Sequence, residues 1–211
     1  MENLKTIYKR HLPHYHFPNE ILFITFRLAN SLPEKVIYEL KNEQLKEEKI
    51  ILGMKVSDSK LKELIYNSKK IYFNKFDCIL NINTYGPKWL QIEQIANIIK
   101  EAIHYRDKKE YNLFSYCIMP NHVHVVLENN NQNKSFYRVM QSLKRYTARK
   151  SNEVLGISDK PFWHHESYDH IVRDERELER IIKYIIYNPV KAGLVNNIKD
   201  WKYNFNIYDI Y

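Results

Sequence analysis

Cysteine is scarce in this sequence and long apolar runs are absent, and each absence excludes a class of protein. Two cysteines, Cys78 and Cys117, are too few for a disulfide framework or a thiolate zinc site. Both have apolar neighbours in the chain, which predicts buried, reduced thiols. No stretch approaches the roughly 18 apolar residues of a membrane helix, and the first residues include no apolar signal core. We therefore expect a cytoplasmic protein with no membrane partner.

The composition is that of a globular protein with an anionic partner. The chain has 211 residues, of which 44% are hydrophobic and 14% aromatic. This is enough for one large domain or for one domain with an insertion. The formal charge of +8 indicates a polyanionic partner, although charge alone does not separate DNA from RNA or a membrane surface.

Alternation and helical spacing predict the order of the first elements. Residues 21–28 alternate as a strand, the first of a sheet. Residues 33–72 are charged and helical with a break at 53–59, which predicts a helical insertion of two helices after that strand. An amphipathic helix at 90–105 and a strand at 111–119 follow. We therefore predict a single domain over residues 1–211 that carries this insertion.

Two histidines stand out in the next strand, at the end of residues 116–127. Pro120 and Asn121 separate two apolar runs there, which is turn chemistry between strands. His122 and His124 then alternate with valines, so both imidazoles project from one face and outside the core. Two imidazoles at i and i+2 on a rigid strand are placed to hold one metal ion. The alternative is a pair of half-exposed histidines on a polar sheet face.

Every charged residue of the helix predicted at residues 134–150 is basic. It contains no acid, and such a helix indicates a surface that tracks DNA phosphates rather than a merely solvated face. Its basic residues are Lys134, Arg138, Lys144, Arg145, Arg149 and Lys150.

A short strand at residues 168–173 precedes the last predicted helix, which opens with two acids at 174 and 175. An apolar stripe defines the buried side of this helix, and Tyr184 and Asn188 share one flank of it while Tyr187 points to solvent. Pro189 is predicted to end the helix, and Asn188, which precedes the proline, is biased out of helical geometry.

Several of these segments, taken in order, resemble the REP-associated tyrosine transposases, a branch of the single-tyrosine HUH transposases. The resemblance implies an α+β fold, a ferredoxin-like antiparallel sheet with helices on one side. It also implies a metal-dependent endonuclease and strand transferase that cuts single-stranded DNA beside a hairpin through a 5′-phosphotyrosine. The matching segments are residues 10–15, 23–28, 86–90, 119–124, 169–175 and 184–194.

The resemblance also implies roles for particular residues. His122 and His124 match the metal-binding pair, Tyr184 the nucleophile and Asn188 the third metal ligand. An N-terminal arm over residues 5–19, with Arg10, would lie close to the DNA; the alternative is a strand-like tail tied to the sheet. The further DNA contacts, Lys144, Arg145, Arg149 and Lys150, follow from the charge of the basic helix. Because thiolates are absent, the ion is expected to be Mg²⁺ or Mn²⁺ rather than a structural zinc.

Other readings stay open. The chain could be a domesticated relative that binds hairpin DNA without cutting it, or a replication initiator or relaxase of similar chemistry. The oligomeric state, monomer or homodimer, is not set by the sequence. The cluster from His164 to His170 has no metal-ligand spacing, and we expect a structural or DNA-contacting role for it.

Overall fold

The computed structural model describes residues 7–9, 13–15, 19–82, 84–130, 136–158 and 160–208. Two compact units make up the chain, residues Asn30–Gly86 and the remainder. The predictions for Arg10 and Lys134 lie outside the described residues.

The strands are β1 Ile7–Lys9, β2 Pro13–Tyr15, β3 Ile21–Leu28, β4 Asn112–Ile118, β5 His122–Glu128, β6 Trp163–Ile171 and β7 Asn204–Asn206. The α-helices are α1 Glu34–Leu52, α2 Asp58–Ile82, α3 Glu93–Arg106, α4 Phe136–Leu155, α5 Glu175–Ile186 and α6 Asn188–Lys191.

The larger unit is built on a five-stranded antiparallel sheet in the order β6-β3-β5-β4-β7. Strands β1 and β2 pair separately as a two-stranded antiparallel sheet. The chain order β3-α3-β4-β5-α4-β6 is the ferredoxin-like arrangement, to which β7 adds one edge strand. The α+β class and the antiparallel sheet are therefore confirmed.

One face of this sheet forms the apolar core. Alternate residues of β3, β4 and β5 point to it, and the apolar sides of α3 and α4 cover it. The sequence predicted helices on one side of the sheet, and α3 and α4 are the two helices that lie there. Helix α5 lies against the other face, where it packs on β4, β5 and β7.

The connection from α5 to α6 differs from the prediction. Asn188 does not leave helical geometry, because the short helix α6 begins at Asn188 itself. Pro189 falls in the first turn of α6, where its missing N–H has no intrahelical partner to lose. The side chain of Asn204 donates to the carbonyl of Ile186 at 3.0 Å, so a carbonyl at the end of α5 is satisfied.

The smaller unit is the helical insertion, an α1–α2 hairpin between β3 and α3 in the chain. It ends at Ile82 rather than at residue 72, because the apolar stretch 73–80 continues α2. Gly86 closes the unit with φ +68, and a Cβ there would stand 2.0 Å from the carbonyl oxygen of Asn30. Only glycine fits a backbone that approaches another so closely.

The two cysteines differ in exposure. Cys117 is buried as predicted, but Cys78 is exposed, so that prediction is wrong. Cys78 lies on α2, away from the buried stripe that contains Phe73 and Leu80. Among the described residues, no helix combines the length and apolarity that crossing a bilayer requires.

Candidate metal and tyrosine site

The pairing of β5 with β3 places each of the two histidines opposite a residue of β3. In the antiparallel pair, Thr25 stands opposite His124 and Arg27 opposite His122. Neither histidine is exposed at all, so the expectation that both lie outside the core is wrong. Residues of α5 and α6 approach this face, and His124 contacts both Tyr184 and Asn188.

Each histidine has a partner on its Nδ1 atom that sets its tautomer. Asn121 Oδ1 lies 2.6 Å from His122 Nδ1 and Thr25 Oγ1 lies 2.7 Å from His124 Nδ1. A carboxamide oxygen only accepts, so His122 donates its Nδ1–H to Asn121. The amide nitrogen of Asn188, 2.9 Å from His124 Nε2, donates to that nitrogen, so His124 donates its own Nδ1–H to Thr25.

These partners leave both Nε2 atoms as acceptors, and they face each other at 3.0 Å. Two lone pairs this close repel unless a proton or a cation lies between them. Two nitrogen ligands of one ion, each about 2.1 Å from it at a right angle, stand about 3 Å apart. The separation and the tautomers therefore fit one divalent ion, with the outer hydrogen bonds in the positions that usually orient metal-binding histidines.

Asn188 can add an oxygen to this pair. Its side chain is fully buried and contacts His124 through the amide nitrogen. Where an ion takes the place of that hydrogen bond on His124 Nε2, a half-turn of the amide would exchange nitrogen for oxygen and point the carbonyl oxygen at the imidazoles. Two neutral imidazoles and one amide oxygen form a donor set that suits Mn²⁺ or Mg²⁺ and leaves coordination positions for a substrate.

Tyr184 lies beside the histidines, and Tyr187 does not. The rings of Tyr184 and His124 are 6.0 Å apart between centroids and meet edge to face. Phe23 packs on Tyr184 at 6.4 Å, and Lys191 Nζ stands 4.7 Å from the centre of the same ring. Tyr187 is 43% exposed. The helical spacing that separated these two tyrosines is confirmed, and the roles predicted for Tyr184, His122, His124 and Asn188 stay predictions.

The basic helix α4 differs in detail from the one predicted. It continues to Leu155 and so includes Glu153, which pairs with Arg149 at 3.2 Å and Lys150 at 2.8 Å. Lys144 donates to the carbonyl of His164 at 2.8 Å and to Ser167 Oγ at 3.2 Å. Arg145 is exposed. DNA contact by these residues stays a prediction, and the structure shows that they face solvent to different degrees.

The histidine cluster on β6 is electrostatically unusual. Burial, with the positive charge of Arg27 as a second cause, lowers the pKa of His164 to about 3. His164 is therefore neutral at physiological pH. His165 is exposed and lies 3.7 Å from a carboxylate oxygen of Glu166.

Sequence patterns missed three residues that the geometry places at the site. Thr25 and Asn121 hold the histidines, and Lys191 lies on the ring of Tyr184. Asn121 had a local signal, since it is adjacent to His122. Thr25 is 99 residues from His124, so only the register of β3 against β5 reveals it.

Comparisons with known proteins agree with this arrangement. A protein of Haemophilus influenzae named as a REP-associated tyrosine transposase is 26% identical over 102 residues, covering 44% of this chain and 58% of the relative. The REP-associated tyrosine transposase of Escherichia coli strain K12 is 21% identical over 96 residues, covering 46% and 54%. The chain thus spans less than two thirds of the length of these named relatives.

A solved structure and a family model complete the comparison. The structure, a REP-associated tyrosine transposase bound to a REP hairpin, aligns with a TM-score of 0.51 and 15% identity over 93% of this chain and 80% of the other. That likeness shows the fold. The family model described as "Transposase IS200 like" matches residues 79–188, a segment that contains both histidines, Tyr184 and Asn188. Since this match covers just over half of the chain, the protein belongs to the IS200-like transposase family.

Proposed function

We propose that this protein is a metal-dependent endonuclease and strand transferase that acts on single-stranded DNA beside a hairpin, with Tyr184 as its nucleophile. The observation that carries the proposal is the position of Tyr184. Its ring contacts His124, whose Nε2 faces that of His122 at 3.0 Å. A nucleophile beside a ready metal site is the arrangement that phosphodiester transfer needs.

The metal site supports the proposal through its donors. His122, His124 and the amide oxygen of Asn188 would hold Mg²⁺ or Mn²⁺. When bound, such an ion would polarise a non-bridging phosphate oxygen and offset the charge that develops during attack. The chain itself holds the imidazoles in the required tautomers through Asn121 and Thr25.

The chemical step conserves the number of phosphodiester bonds. The Tyr184 hydroxyl loses its proton to solvent and its oxygen attacks phosphorus, while the bond from phosphorus to the 3′ oxygen breaks. The 3′ oxygen takes up a proton and leaves as a hydroxyl, and the 5′ phosphate stays on Tyr184. Attack of a 3′ hydroxyl on that phosphotyrosine reverses the step and joins strands. No water or nucleotide cofactor is consumed.

The surroundings of Tyr184 suit this role. A phenol with its ordinary pKa of about 10 is a weak nucleophile at neutral pH, so it requires positive charge nearby. The ammonium of Lys191 on the ring contributes such charge. The edge-to-face contact with Phe23 restricts the ring, which keeps its orientation towards the histidines.

DNA is favoured as partner by charge and by the comparisons. The net charge is +8, and the aligned solved structure is bound to a REP hairpin. The predicted contacts are Lys144, Arg145, Arg149 and Lys150 on α4 and Arg10 in the N-terminal arm. A non-cleaving hairpin binder is the second candidate, but binding alone does not require two histidines with matched outer hydrogen bonds.

Nicking of a labelled single strand with a central hairpin tests the proposal. We expect cleavage that depends on Mn²⁺ or Mg²⁺ and is lost in His124→Ala and Tyr184→Phe, while Tyr187→Phe remains active. Hairpin binding by all four proteins without any metal-dependent cleavage by the unsubstituted one would favour the non-cleaving binder instead.

A further inference from the structure

A cleft lies between α4 and the first half of β6, separate from the tyrosine and the histidines. Its volume is about 320 Å³, close to the lower limit of small-ligand pockets. The side of α4 that carries Tyr137, Lys144 and Ala148 forms one wall, and residues 161–167 form the other. Neither the metal site nor the nucleophile uses this cleft.

Lys144 fixes the shape of the cleft. Its ammonium donates to the carbonyl of His164 at 2.8 Å, to the carbonyl of His165 at 3.4 Å and to Ser167 Oγ at 3.2 Å. An ammonium has three N–H donors, so one lysine can hold several acceptors of β6 at once. Lys144 therefore ties α4 to β6, and the cleft is formed before any ligand enters.

The lining combines flat rings with hydrogen-bonding groups. Tyr137 and His165 offer rings on opposite walls, and bases of single strands stack on such rings. His164 is neutral at physiological pH, since burial lowers its pKa to about 3, so it adds polarity without charge. Arg145 borders the cleft and is exposed, where a phosphate can reach it.

The cleft is also near enough to the tyrosine site to share one strand of DNA. Strand β6 is an edge of the sheet, so nothing within the sheet lies beyond it. Tyr168, the residue after the lining, stands opposite Thr25, which bonds His124. Two strand spacings separate β6 from β5, roughly 10 Å. A single strand bound at Tyr184 can pass around the β6 edge into the cleft.

We propose that this cleft holds one unpaired nucleotide of the single-stranded DNA that is bound at Tyr184, with its base between the two walls and its phosphate at Arg145. The inference rests on the proposed function and adds a specificity site to it.

An abasic scan tests the inference on the unsubstituted chain. Hairpin DNA with single-stranded flanks would be made with one abasic position at a time, and binding measured in metal-free buffer so that no cleavage is needed. We expect one flanking position to weaken binding by about 5- to 150-fold when its base is removed, the range for a stacked base. A 5-iodouracil at that position should crosslink to a peptide that contains Tyr137 or His165.

A substitution that fills the cleft, compared with a control substitution outside it, tests the same inference. Ala148→Trp places a ring in the cleft without changing charge, and Tyr146→Trp adds the same side chain on α4 outside the lining. We expect Ala148→Trp to bind intact DNA as weakly as the unsubstituted protein binds abasic DNA, and to be indifferent to the missing base. Tyr146→Trp should keep the full difference. Thermal unfolding of both variants reports whether they fold.

Each outcome bears on one of the two proposals. Equal binding at every abasic position, or crosslinks only outside α4 and β6, would overturn the cleft proposal whether or not Ala148→Trp folds. If the protein nicks DNA in that case, the proposed function stands. If the abasic position matters but no metal-dependent nicking occurs, the cleft proposal stands and the proposed cleavage fails. Absence of any binding to hairpin DNA would overturn both.

Discussion

Replacing Thr25 by valine removes one oxygen from behind the metal site. Thr25 is 3% exposed, and its Oγ1 accepts from His124 Nδ1 at 2.7 Å. Valine keeps the β-branched shape that suits a strand, but it leaves a buried N–H without an acceptor. That loss is expected to destabilise the fold by about 1–3 kcal/mol. It also frees His124 to change tautomer, and loss of such an outer partner lowers metal affinity by about 10- to 100-fold.

The assay separates affinity from chemistry. Free Mn²⁺ is counted by electron paramagnetic resonance during a titration of the protein, and nicking of hairpin-flanked DNA is followed at rising Mn²⁺. We expect Thr25→Val to raise the Kd for Mn²⁺ by about 10- to 100-fold. At saturating Mn²⁺ this variant should recover most of the cleavage rate of the unsubstituted protein. Thr25→Ser, which keeps the hydroxyl, should stay within a few-fold of the unsubstituted protein.

Two results would show that the Thr25 hydroxyl does not support the metal site. One is unchanged Mn²⁺ affinity in a folded Thr25→Val protein, because the hydrogen bond would then have no bearing on metal binding. The other is an equal loss in Thr25→Ser, which would show that packing at this position matters rather than the hydroxyl.

Three further predictions concern α4 and β6. Lys144→Met should lower the free energy of urea unfolding by about 1–3 kcal/mol, because β6 loses the donors that tie it to α4. Arg145→Ala should reduce the log–log salt dependence of single-strand binding by about 0.7, and Arg149→Ala by less, because Glu153 already pairs with Arg149. His164 has a pKa lowered to about 3 from 6.5, so the native protein binds fewer protons than the unfolded chain between these values. Stability should therefore be full above pH 6.5 and fall as the pH drops through that window, and His164→Gln should flatten the fall.

The histidine pair and the tyrosine were predictable because their patterns are local. A strand repeats every two residues, so His122 and His124 must share a face whatever surrounds them. A helix repeats every 3.6 residues, so Tyr184 and Asn188 share a flank. The structure has the first arrangement. It replaces the second by two helices, since α5 ends at Ile186 and Asn188 opens α6, although Tyr184 and Asn188 both still contact His124. The fold class was implied by the family resemblance, and the order of alternating and helical segments was compatible with it without proving it.

What surrounds those residues was not predictable from local patterns. The burial of both histidines depends on elements distant in sequence, and Thr25 reaches His124 only through strand register. Lys144 reads as a solvated or phosphate-binding lysine in its own helix, yet its partners lie 20 to 23 residues later on β6. The helical geometry of Asn188 overrides the bias from Pro189, since α6 begins there.

In the proposed reaction, Tyr184 becomes covalently joined to the 5′ phosphate of the cut strand. Mapping the DNA-linked peptide by mass spectrometry, after incubation with Mn²⁺ and hairpin-flanked single-stranded DNA, tests it most directly. We expect one adduct, on Tyr184, that is absent from Tyr184→Phe and present in Tyr187→Phe. An adduct on Tyr187 or on any tyrosine outside α5, or cleavage by Tyr184→Phe at the unsubstituted rate, would contradict it.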